Sequence, residues 1–79
     1  MKIEVLGTGC AKCKRLEENV RKAVQETGVK AEVLKVQDMD QIISKGVMMT
    51  PALLIDGEEM AVGRVPGVEE IKRMLQGAH

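Results

Sequence analysis

The stretch Gly7-Thr8-Gly9-Cys10-Ala11-Lys12-Cys13 contains both cysteines of the chain. Before it, Lys2-Ile3-Glu4-Val5-Leu6 alternates polar and apolar residues with β-branched members, which predicts a strand. After it, from Ala11 to Thr27, apolar residues recur with a period of about 3.6, which predicts an amphipathic helix. The cysteine pair therefore sits where a strand ends and a helix begins. Positions i and i+3 share a helix face, so Cys10 and Cys13 can close a disulfide or grip one metal ion. The first N–H groups of a helix lack partners and its dipole is positive there, which favours a thiolate over a thiol. A free cysteine has a pKa of about 8.5, and a helix N-terminus lowers it. Cys10 stands to gain most. Cys13, one turn inside and pointing back, is expected to be shielded and less ionised. That pairing suits dithiol exchange, in which Cys10 attacks a disulfide and Cys13 resolves the mixed disulfide. Lys12, a cation beside the thiol, is a candidate to stabilise the Cys10 thiolate.

A chain of 79 residues makes one small domain, taken as residues 1–79, with a core of only marginal size. A disulfide closing so short a loop adds little stability, so the pair is read as chemistry and not as a staple. No charged-then-apolar leader is present, and the longest uncharged apolar run, Val47 to Ile55, is broken by Thr50-Pro51 and too short to span a bilayer. The expectation is a cytoplasmic protein with no membrane association. In such a reducing compartment a lone Cys-x-x-Cys is more often catalytic or metal-binding than a permanent bridge. Twelve basic and twelve acidic residues balance to a formal charge of zero, and Phe, Tyr and Trp are absent. The chain thus offers neither the cationic excess nor the stacking platforms of nucleic-acid binders. Its core must be aliphatic, and the six methionines are read as gap fillers within it and not as a soft-metal site.

Beyond the cysteines, Gly7 and Gly9 permit unusual backbone angles or close approach, and Thr8 or Gly9 is expected to cap the helix. Cys13, Leu16, Val20, Ala23 and Val24 form the helix's apolar face, and Gly28 ends it. Ala31 to Val36 is a second alternating strand, completing a βαβ unit with a parallel pair. Asp38 or Asp40 starts a short helix carrying Met39, Ile42 and Ile43, closed by Gly46. Ala52 to Ile55 and Glu58 to Val62 flank Asp56-Gly57, a type I′ hairpin signal. Val68, Ile71, Met74 and Leu75 line a last helix that stops at Gly77; His79, the final residue, is expected to be disordered. The order is β-α-β-α-β-β-α.

The Gly-x-Gly-Cys-x-x-Cys motif at a strand–helix junction, Thr50-Pro51 opening the third strand, the Asp-Gly hairpin and the closing helix make the chain similar to the thioredoxin superfamily. It looks most like the small, glutaredoxin-sized redox-active disulfide proteins of prokaryotes, over nearly its whole length. The resemblance implies a thioredoxin-like α/β fold with a central four-stranded mixed sheet and three helices. It implies Cys10 as nucleophile, Cys13 as resolving cysteine, and Pro51 as a cis proline beside them. Thr50 would offer its backbone to an incoming extended peptide, and Gly63 would keep the bend after the fourth strand open. It also implies a monomeric thiol–disulfide oxidoreductase with no cofactor, acting on disulfide-containing proteins and re-reduced by a thioredoxin-reductase-type donor. The pattern departs in places. Gly9 and Ala11-Lys12 replace the aromatic residue and the Gly-Pro of the familiar thioredoxin motif, so the redox potential does not carry over. No acid is evident behind the resolving cysteine, since nothing in the sequence turns Glu4 inward. Gly63-Arg64-Val65 replaces the Gly-Gly and acidic residue of glutathione-binding relatives. Arg64 reads as a plain surface charge.

A competing reading is a soft-metal carrier holding copper or zinc through Cys10 and Cys13. Such carriers usually place Met just before the motif and need β-α-β-β-α-β, whereas this chain has Thr8-Gly9 and closes with a helix. A structural zinc site needs four ligands, which only a dimer sharing both cysteines could supply. A docking module with an incidental thiol pair leaves the helix-terminal placement unexplained.

Overall fold

Strand β1, Lys2–Leu6, is buried on both faces from Ile3 onward and forms the spine of the molecule. The computed structural model describes residues 1–77, so the expectation for His79 lies outside the described residues. Around β1 the order is α1 (Ala11–Thr27), β2 (Glu32–Val36), α2 (Met39–Ser44), β3 (Ala52–Ile55), β4 (Glu58–Val62) and α3 (Val68–Leu75). The expected β-α-β-α-β-β-α sequence is present. The sheet runs β2-β1-β3-β4, with β1 parallel to β2 and antiparallel to β3, and β3 antiparallel to β4. Asp56 and Gly57, at φ 51° and 83°, both adopt the left-handed angles that a type I′ turn requires.

Alternation sorts the strand residues onto two faces. Ile3, Val5, Leu53 and Ile55 meet Leu16, Val20 and Ala23 of α1 and Ile71 and Leu75 of α3. Leu6, Val36, Ala52 and Leu54 meet Ile42 and Val47 on the other side. Full burial of such a side chain stabilises by about 1.5–3 kcal/mol. The first face, with ten buried members, therefore fixes α1 and α3 far more firmly than the second, with six, fixes α2.

Three expectations are corrected. The methionines do not fill the core: Met1, Met39, Met48 and Met49 are exposed, and only Met60 and Met74 pack against it. The unbranched thioether tolerates exposure well enough to be used at surfaces. Glu4 does turn inward, only 5 % exposed, because β1 is covered on both faces; its Oε2 meets Lys45 Nζ at 2.8 Å, at the C-terminus of α2. In α2 itself only Ile42 is buried, while Met39 and Ile43 are exposed, since six residues present little more than one side chain to a sheet.

Candidate active site

Leu6 ends β1, and the N–H of Gly7 still donates to Val36 O at 2.9 Å, so the chain leaves the sheet only after Gly7. A Cβ at Gly7 would clash with Cys13 Sγ and lie 3.9 Å from Pro51 Cα. Close approach, not backbone angle, demands glycine there. Gly9 turns with φ 93°, an angle that favours glycine. Neither Thr8 nor Gly9 caps α1: Cys10 is the N-cap, in extended geometry (φ −69°, ψ 172°), its carbonyl accepting from the Lys14 N–H at 3.0 Å. No side chain caps this helix, which leaves its first N–H groups available to a sulfur atom.

Both cysteines are free thiols, Cys10 exposed and Cys13 buried, with their Sγ atoms 3.0 Å apart. The shared hydrogen bond polarises them. The Cys13 side chain, as donor, is the largest influence holding the Cys10 thiol below its ordinary pKa, and the backbone N–H groups of Cys13 and Lys12 add to it. Burial pushes the Cys13 thiol up, and its bond to Cys10 raises it further. Lys12 thus reaches Cys10 through its backbone; its side chain is exposed.

Opposite the sulfur atoms, the Thr50–Pro51 peptide bond is cis, with Thr50 exposed and Pro51 buried. Gly63 donates its N–H to Pro51 O at 2.8 Å and has φ 75°. A Cβ there would lie 3.0 Å from Met49 Cε, so the Met49 side chain lies across Gly63. Arg64 forms a two-pronged ion pair with Glu70 of α3, at 3.1 and 2.8 Å, which fastens the loop after β4. On the far side of Cys13 is a cavity of about 30 Å³ that Gly7, Lys14, Glu17, Lys35 and Gln37 help to line. It has room for about two water molecules at the usual ~10–15 Å³ each. Glu17 is held below the usual carboxylate range by Arg21 first, with Lys35 adding to it. Glu4 faces α2 on the opposite side of the sheet and does not border this cavity.

Cys10, Cys13, Pro51 and Gly63 are thus brought together, with Thr50 at the rim. The close approach expected at Gly7 is present, whereas Met49 and the cavity residues Lys14, Glu17, Lys35 and Gln37 were missed by sequence reasoning. Among the described residues no group of three or more His, Cys, Asp or Glu side chains converges as a metal site would require. The helix between β2 and β3 also departs from the β-α-β-β-α-β order of the metal carriers. Among the described residues no helix is long and apolar enough to cross a membrane.

A protein-family model described as a thioredoxin domain matches residues 1–76. A curated relative named Thioredoxin, from Methanothermobacter thermautotrophicus, is 51% identical over 75 residues, covering 95% of this chain and 97% of the relative. Another protein named Thioredoxin, from Methanocaldococcus jannaschii, is 45% identical over 74 residues, covering 94% of this chain and 85% of the relative.

Proposed function

The chain belongs to the thioredoxin-domain family of thiol–disulfide oxidoreductases, and from that premise we propose that Cys10 and Cys13 form a dithiol that reduces disulfides in partner proteins. The observation that carries this reading is the 3.0 Å contact between an exposed thiol held low in pKa and a buried thiol held high. The Cys10 thiolate attacks one sulfur of the partner disulfide. A Cys10–partner S–S bond forms, the partner's own S–S bond breaks, and its second sulfur leaves as a thiolate. Cys13 then loses its proton, for which the adjoining cavity offers an exit, and attacks Cys10 Sγ. The Cys10–Cys13 disulfide forms and the partner's first sulfur departs. Two electrons have passed to the partner, and the chain must be re-reduced by a donor dithiol. Run backward, the same steps oxidise a partner.

In this reading Thr50 presents its backbone to the partner segment, Pro51 borders the sulfur atoms without an N–H that would compete for them, and Gly63 keeps the rim low. Lys12 supports the Cys10 thiolate through its N–H. The donor is of the thioredoxin-reductase type. The protein works without a cofactor, as a cytoplasmic monomer of one domain spanning residues 1–79.

The test is a pair of serine variants. Cys10→Ser should abolish disulfide reduction, while Cys13→Ser should accumulate a mixed disulfide on Cys10, detectable by mass. Equal residual turnover in both variants would defeat the assignment of roles.

A further inference from the structure

Flanking Cys10, α1 carries Lys12, Lys14 and Arg15, all exposed, and no acidic residue in its first turn. Among the described residues the basic side chains engaged in ion pairs are Arg21, Lys35, Lys45, Arg64 and Lys72. Lys12, Lys14 and Arg15 are unpaired, as are Lys2, Lys22, Lys30 and Arg73, but of these seven only Lys12 and Lys14 lie in the first turn of a helix. The placement of Lys12 and Lys14 opposes the helix dipole, which disfavours cations in a first turn; Arg15 follows in the next turn. The other helices obey that rule. Asp40 lies in the first turn of α2, and α3 has Glu69 and Glu70 in its first turn with Lys72 and Arg73 in its last. In a chain of zero formal charge, these cations beside Cys10 remain free to meet a charged group outside the fold. The rest of the rim differs in kind. Beyond Pro51 it is apolar, with Met48 91 % and Met49 61 % exposed, joined by Val62 at the end of β4. Toward α2, where Gln37 approaches Gly9, the carboxylate of Asp38 is occupied in capping that helix, and Asp40 adds a further negative charge.

We propose that this face selects its disulfide partners by charge: the favoured occupant is an extended protein segment bearing carboxylates on the side that passes over Lys12, Lys14 and Arg15, with an apolar residue over Met48 and Met49. The proposal rests on the reading that Cys10 attacks partner disulfides. Opposite charges raise the encounter rate and fix the orientation of the segment, and salt weakens both effects.

Three synthetic disulfide peptides that differ only in acidic, neutral or basic flanks provide the test. Their reduction rates are divided by those given by dithiothreitol, which removes differences in the peptides' own reactivity. The acidic peptide should be reduced roughly tenfold faster than the basic one at about 10 mM salt, and within about twofold at about 0.5 M, as screening demands. The double variant K14E/R15E should invert that ratio, and because the ratio is internal to each protein, a loss of folded material leaves it unmoved. Equal normalised rates for acidic and basic peptides at low salt would overturn the charge proposal while leaving the dithiol reading intact. Failure of the reduced protein to act on any of the three peptides would overturn both.

Discussion

Gly7 approaches Cys13 so closely that a methyl group on its Cα would clash with the Cys13 sulfur. The end of β1 is thereby the back wall of the thiol. Gly7→Ala should displace Cys13 or the start of α1, at about 1–3 kcal/mol, the usual cost of overpacking a tight interior. The urea midpoint of the reduced protein should fall accordingly, and an unchanged midpoint would show that the wall yields freely.

The thiol titration has a defined sign. Cys10 is held below its ordinary pKa chiefly by the hydrogen bond from Cys13, so its alkylation by iodoacetamide should reach half its maximal rate at a lower pH than an ordinary cysteine does. Cys13→Ala removes that donor and should move the half-point upward. A half-point unmoved by the substitution would mean that the backbone N–H groups alone hold the thiolate.

Lys45 shields a buried carboxylate on the opposite face of the sheet. Lys45→Ala should leave Glu4 without its ion partner and cost about 1–3 kcal/mol, reduced from a fully buried pair because Lys45 is partly exposed. Adding Glu4→Leu to it should recover most of the loss, since two apolar residues can replace a buried pair. Denaturant midpoints of the single and double variants check this, and a double variant no better than the single one would count against it.

Gly63 combines a left-handed backbone with close packing under Met49. Gly63→Ala should cost about 1–2 kcal/mol from the backbone alone and should shift Met49 at the rim. A lower melting temperature accompanied by altered peptide turnover is the expected result, and turnover unchanged at a lower melting temperature would remove Met49 from the docking surface.

What the sequence disclosed follows from where the information is local. The alternation in Lys2–Leu6, the helical period from Ala11 and the Asp56-Gly57 turn each declare an element by themselves, and their order is that of the sheet and helices observed. The cysteines were legible for the same reason, since i and i+3 on one turn fix their proximity. Glu4 was not, because a polar residue in an alternating strand reads as solvent-facing; its burial depends on α2 covering the second face and on Lys45, distant in sequence. The cap was misplaced because Cys10 caps with its backbone, which no side-chain preference announces. Met48 and Met49 were assigned to the core on residue type, whereas the short path from α2 to Pro51 holds them at the surface beside the site.

The central claim is that Cys10 and Cys13 interconvert between dithiol and disulfide. Its most direct test equilibrates the purified, metal-free protein with dithiothreitol redox buffers and counts free thiols at each poise, with zinc and copper(I) binding measured on the same reduced sample. The account predicts a reversible transition in which two thiols disappear together, fitting a two-electron couple, with weak metal binding. Tight one-to-one metal binding with no accessible disulfide would contradict it.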